Sequence, residues 1–162
     1  MIDRNTETIC DFLRSRSVAG GYSPKDDRSG VAIKEVYYPK YITRENYDQC
    51  RPSPTSSSHG FGGLFSLSFT SLLASSTFFD ALPCYKGPSL GTNFTLACPY
   101  TIIAHYEELA WAEEWGVESA LVRVSVGLDL ERDGVMFEGF VKALELAEGV
   151  VGVGENATGG EK

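Results

Sequence analysis

Basic residues are scarce in this sequence: 14 lysines and arginines stand against 22 acidic residues, for a net charge of −8 and a pI near 4.7. A surface of that sign repels phosphate backbones and anionic head groups, which argues against nucleic acid or membrane as a partner. No apolar run approaches the roughly 20 residues that a spanning helix needs. The opening Met1-Ile-Asp-Arg-Asn-Thr-Glu7 is no signal-peptide pattern, so the expectation is a cytoplasmic protein. Cys10, Cys50, Cys84 and Cys98 are widely spaced with no C-x-x-C pair, and in a reducing compartment they are expected as thiols, neither bridged nor holding zinc. Only two histidines occur, His59 and His105, and neither sits near a nucleophile-elbow pattern, so no catalytic triad is readable.

The 162 residues, 43% of them hydrophobic, suffice for one ordinary core. We expect one domain over 1–148 and a flexible Gly-rich tail over 149–162. Ile9, Phe12 and Leu13 recur at helical spacing and predict a helix from Asp3 to Arg16, capped by Asp3 or Asn5. Val31 to Tyr38 is β-branched and aromatic and ends at Pro39, as a strand should. Thr43 to Cys50 suggests a short helix, and Arg51 to Gly63 an exposed loop. From Leu64 to Phe69 the apolar residues alternate with serines, which predicts a half-buried strand. Helical spacing returns over Thr70 to Leu82, closed by Pro83. Ala104 to Trp115 has helical composition, Leu121 to Val126 is the sharpest strand signal, and Asp133 to Glu148 is amphipathic. Strands interleaved with one-sided helices predict an α/β two-layer sandwich, with helices on one face of a mostly antiparallel sheet. The other sheet face is then an expected docking surface for a further domain or a second subunit.

In Leu121-Val-Arg-Val-Ser-Val126 the period of two puts Val122, Val124 and Val126 on the helix-covered face, so Arg123 and Ser125 point the other way. An arginine in mid-strand needs a partner. Its guanidinium fork matches an amino-acid carboxylate, while strand geometry alone favours an internal salt bridge to an Asp or Glu. Gly87-Pro-Ser-Leu-Gly91 presents Ser89 on an irregular turn, either as a hydrogen-bond donor to a ligand or bonded to its own backbone. His105 and Glu108 lie one helical turn apart, too few groups for a metal site. Gly60-Phe-Gly-Gly63 precedes a strand and does not follow one, so it is no phosphate fingerprint.

Four motifs in this order, Phe61-Gly-Gly-Leu-Phe-Ser-Leu67, Phe79-Asp-Ala-Leu82, Ser89-Leu-Gly91 and Leu121-Val-Arg-Val-Ser-Val-Gly-Leu128, closely resemble the C-terminal domain of the Cys/Met-metabolism enzymes dependent on pyridoxal phosphate (PLP). This trans-sulfuration family includes cystathionine gamma-synthase, cystathionine lyases and O-acylhomoserine sulfhydrylases. The likeness runs from about Asn5 to Ala147. It takes in Asn5-Thr-Glu-Thr-Ile-Cys-Asp-Phe-Leu13 and Val36-Tyr-Tyr-Pro39, and the loops around Ser23 to Gly30 and Arg51 to His59 are most like those of fungal gamma-synthase-like members.

The resemblance implies the small C-terminal domain of a fold type I PLP enzyme, in which Arg123 binds the substrate α-carboxylate and Ser89 hydrogen-bonds near the substrate and the cofactor lysine. It implies a homo-oligomer, a homotetramer built from dimers, that joins a homoserine ester and cysteine into cystathionine, in methionine and cysteine metabolism. PLP would be bound mainly by an upstream domain carrying the Schiff-base lysine, since none of the six lysines here sits in a matching motif. The chain alone is therefore expected to be inactive. Pro88 stands where many members carry a glutamate, and Thr92 replaces the usual second glycine, which leaves lyase and sulfhydrylase activities open beside the synthase. A non-catalytic domain that only associates with related subunits is the reading from a different class.

Overall fold

Ile9 and Leu13, one turn apart, are wholly buried in the first helix, α1 (Ile2–Ser15). The computed structural model describes residues 1–24, 29–50, 60–129 and 135–158, with side chains to residue 152; His59 and Asp133 lie outside the described residues. The expected cap is corrected: α1 starts at Ile2, with no side-chain cap bond. Asp3 sits in the first turn, where an acid favours the helix dipole. Asn5 lies within the helix and is buried, its Nδ2 unpartnered among the described residues.

The chain continues through a 3₁₀ turn at Val18–Gly20, β1 (Ile33–Tyr37), α2 (Arg44–Gln49) and β2 (Leu64–Phe69). Next comes α3 (Leu72–Ala81), where the Ser71 hydroxyl accepts the Ala74 N–H at 3.1 Å and so satisfies an orphan donor of the first turn. Ser71→Ala is expected to cost about 1 kcal/mol of local helix stability. Faster amide exchange at residues 72–75 would register that loss; an unchanged rate would contradict it.

Beyond α3 lie β3 (Tyr85–Lys86), β4 (Leu96–Pro99), α4 (Tyr100–His105), a 3₁₀ turn at Tyr106–Glu108, α5 (Leu109–Glu114), β5 (Val122–Ser125) and α6 (Val135–Thr158). One five-stranded sheet has the order β1-β2-β5-β4-β3, parallel only between β3 and β4, with a register irregularity in β1 between Ile33 and Glu35. The expected α/β architecture is the one observed. Phe65, Leu67, Val122 and Val124 share one cluster with Ile9 and Leu13 of α1, Phe78 of α3, and Phe140 and Leu144 of α6. Phe140 joins the layers: its ring centroid lies 6.4 Å from that of Phe65 on the sheet and 6.2 Å from that of Phe78.

Three elements depart from expectation. β4 went unread because Leu96, Ala97 and Cys98 are all buried, which leaves no alternation to detect, and because it ends in a proline. The helix expected over 104–115 is two short helices around a 3₁₀ turn. Its backbone leaves the helical region at His105 (φ −132, ψ 28) and Glu108 (φ −134, ψ 31), where His105 Nδ1 meets Glu108 Oε1 at 2.8 Å. The last helix runs to Thr158 instead of stopping at Glu148. Its extension is docked: Gly30 N–H donates to the Glu148 carbonyl at 3.0 Å, and a Cβ on Gly30 would lie only 2.3 Å from Val151 Cγ1. Arg16 pairs with the Glu148 carboxylate, which burial pushes upward in pKa and Arg16 pulls back. Among the described residues, no helix is long and apolar enough to cross a membrane.

Candidate functional site

β5 lies mid-sheet between β2 and β4, so its side chains are fixed by two ladders at once. Val122, Val124 and Val126 are buried as expected. Arg123, half-buried on the opposite face, pairs across the strands with Ser66 of β2 and Cys98 of β4. Burial pushes the Cys98 thiol up in pKa, while the charge and hydrogen bond of the Arg123 guanidinium pull it the other way.

Arg123 Nη2 donates to the Pro88 carbonyl at 2.6 Å, and the guanidinium carbon lies 5.0 Å from the centre of the Tyr100 ring. Among the described residues no carboxylate pairs with it. A carbonyl and an aromatic face therefore stand where an internal salt bridge was the alternative. A guanidinium carries five N–H donors, and a carbonyl and a ring orient it without neutralising its charge.

The Pro88 carbonyl belongs to the loop that carries Ser89, so the structure brings the two expected site residues to one place. Ser89 is exposed, and its hydroxyl makes no hydrogen bond among the described residues, which removes the reading of a turn serine bonded to its own backbone. Gly91 turns the loop with a φ of 70°, a conformation that favours glycine, and its N–H donates to Ser125 Oγ at 3.2 Å. Leu64, Leu90, Gly91 and Ser125 line a cleft of about 280 Å³ together with Ile2, Gly63 and Val126. Leu64 and Leu90 stay substantially exposed, at 42% and 51%.

Sequence reasoning missed Tyr100, Cys98 and Asp129. Asp129 accepts from the Thr95 N–H at 2.7 Å and from the Thr95 hydroxyl at 2.6 Å. Only the position of Asp129, six residues after Arg123 and directly after the Leu121–Leu128 motif, could have drawn notice. His105 pairs with Glu108, and among the described residues no group of three or more His, Cys, Asp or Glu side chains could hold a metal.

The described residues do not by themselves make a PLP site. Lys34 pairs with Glu118, and Lys40 with Glu7 and Asp11. Lys86 donates to the Phe79 and Leu82 carbonyls at the end of α3, with burial holding its pKa down. Lys142 stands exposed on α6. Among the described residues, the partners of Lys34, Lys40 and Lys86 all lie away from Arg123.

Comparison with known proteins fits this arrangement. No family model matches the chain. The cystathionine gamma-synthase-like enzyme iboG2 of Amanita muscaria is 56% identical over 138 residues, 80% of this chain and 21% of that protein. Cystathionine gamma-synthase of Saccharomyces cerevisiae is 49% identical over 123 residues, 74% of this chain and 18% of that protein. The chain belongs with the cystathionine gamma-synthase family. It spans about a fifth of the length of these two relatives. Among solved structures, cystathionine gamma-lyase from yeast superposes with a TM-score of 0.66 at 25% identity, over 90% of this chain and 34% of that one. Cystathionine gamma-synthase from Xanthomonas oryzae pv. oryzae, solved with cystathionine, also gives 0.66, at 21% identity over 91% of this chain and 34% of that one, which shows the shared fold.

Proposed function

We propose that this chain is the C-terminal, substrate-carboxylate-binding part of a PLP-dependent trans-sulfuration enzyme that condenses an O-acylhomoserine with cysteine to give cystathionine. One observation carries the reading: Arg123 is braced by the Pro88 carbonyl and the Tyr100 ring, unpaired with any carboxylate among the described residues, beside the exposed Ser89. An amino-acid carboxylate would complete the guanidinium bidentately, and the Ser89 hydroxyl would donate to the same substrate. In the complete enzyme PLP supplies the electron sink for amino-acid carbanions, and it is held mainly by the upstream part. This chain's share is to orient the substrate and neutralise its carboxylate.

In this proposal the folded domain is the part ending near the last helix, and the remaining polypeptide or related subunits cover the face that exposes Leu64 and Leu90. The complete enzyme is a cytoplasmic homo-oligomer; four free cysteines suit a reducing compartment. The isolated chain is inactive.

The test is a product analysis on the complete protein. Fed an O-acylhomoserine and cysteine, it is expected to release cystathionine. Cleavage of cystathionine, or replacement of cysteine by sulfide as the acceptor, would instead place it with the lyases or sulfhydrylases. Turnover of none of these substrates would overturn the proposal.

A further inference from the structure

The segment carrying Ser89 is fastened to β5 and its continuation at three successive points. At its start, Pro88 offers its carbonyl to Arg123 at 2.6 Å. In the middle, Gly91 donates its N–H to Ser125 Oγ at 3.2 Å. At its end, Thr95 is held twice by Asp129, through its N–H at 2.7 Å and its hydroxyl at 2.6 Å, and the same hydroxyl oxygen accepts the Gly127 N–H at 3.1 Å. The backbones also close on each other there. Leu128 N–H donates to the Asn93 carbonyl at 2.9 Å, and a Cβ on Gly127 would lie 2.4 Å from the Phe94 backbone.

The third fastening is the strongest. Thr95 is fully buried, so its hydroxyl cannot exchange protein partners for water without exposing the junction. It acts as donor to a carboxylate and acceptor from a backbone amide at once, which fixes its rotamer and the direction in which the chain leaves the loop. Arg123 lies four residues before Gly127 on the same strand path, so one rigid element carries both the guanidinium and the anchor of the serine loop.

We propose that Asp129 and Thr95 form a positioning clamp that sets the loop of Ser89 in register with Arg123, so that both side chains meet one amino-acid carboxylate. This inference rests on the proposed role of Arg123. Thr95→Val keeps the side-chain volume while removing the hydroxyl, and it strips a partner from both Asp129 and Gly127. Thr95→Ser keeps the hydroxyl and serves as the conservative rescue.

In the complete protein, Thr95→Val is expected to raise KM for the amino-acid substrate about tenfold with little change in kcat, and Thr95→Ser to return KM to within about twofold of wild type. Asp129→Asn, which retains a single acceptor oxygen, is expected to fall between them and stands in for Thr95→Val should that variant fail to fold. A fall in thermal midpoint with KM unmoved would overturn the clamp and leave only a structural bond. The two readings separate cleanly. If Arg123→Ala raises KM and Thr95→Val and Asp129→Asn do not, the clamp alone fails; if Arg123→Ala leaves KM unmoved, the carboxylate reading fails with it.

Discussion

Arg123→Ala in the complete protein is expected to lower kcat/KM for the amino-acid substrate about 100-fold or more, with the fold retained. A hydrogen bond to a charged group is worth about 1.5–3 kcal/mol, and a bidentate contact makes two of them. Even the lower figure, doubled to about 3 kcal/mol, exceeds the roughly 2.8 kcal/mol that corresponds to 100-fold. The fold should survive because the side chain is half-buried and pairs with no carboxylate among the described residues, so truncation strands no buried counter-charge. What is lost internally is a bond to the Pro88 carbonyl, the contact with Tyr100 and the hydrogen bond with the Cys98 thiol. Arg123→Lys keeps the charge but not the planar fork and should fall between, with a loss of about tenfold. Steady-state kinetics on the three proteins decide it, and equal kcat/KM values would contradict the assignment.

The largest expected effect on stability is at Phe140. Its ring is wholly buried and joins the sheet at Phe65 to α3 at Phe78. Phe140→Ala removes a shared wall of both layers and should cost about 3–5 kcal/mol. Leu146, on the same helix but 52% exposed, offers the contrast, with Leu146→Ala expected within about 0.5 kcal/mol of wild type. Amide exchange over β2 and α3 in the complete protein would show the first loss as collapsed protection. Equal protection in the two variants would mean that α6 does not hold the layers together.

The parts of the fold legible in the sequence are those in which burial is one-sided. β2 is legible to its observed ends because Phe65, Leu67 and Phe69 alternate with serines, and β5 to within one residue at each end because three valines alternate around Arg123 and Ser125. The alternation also told which way Arg123 points. Even there the solvent side was overestimated, since Ser68 is fully buried. β4 was invisible because burial on both faces erases the period of two. The α4–α5 break was invisible because composition reports helix formers on both sides of it and says nothing of backbone angles at His105 and Glu108. The continuation of α6 past Glu148 meets Gly30 at Val151, a contact distant in sequence.

The site divides in the same way. Arg123 and Ser89 were singled out from residue type and motif, whereas their proximity was not, because it depends on a backbone carbonyl that has no sequence signature. Tyr100 beneath the guanidinium belongs to the same class, since its place depends on the start of a helix at the end of an unread strand. Thr95 and Asp129 are 34 residues apart, and only the closure of β4 against β5 brings them together.

The most direct measurement is the discrimination of the complete protein between its amino-acid substrate and the corresponding carboxamide, which is isosteric but uncharged. If Arg123 grips the carboxylate, the wild type prefers the acid by about 100-fold in kcat/KM and Arg123→Ala shows almost no preference. A preference of the same size in both proteins would show that the carboxylate is held elsewhere, and the proposed role of this chain would fall.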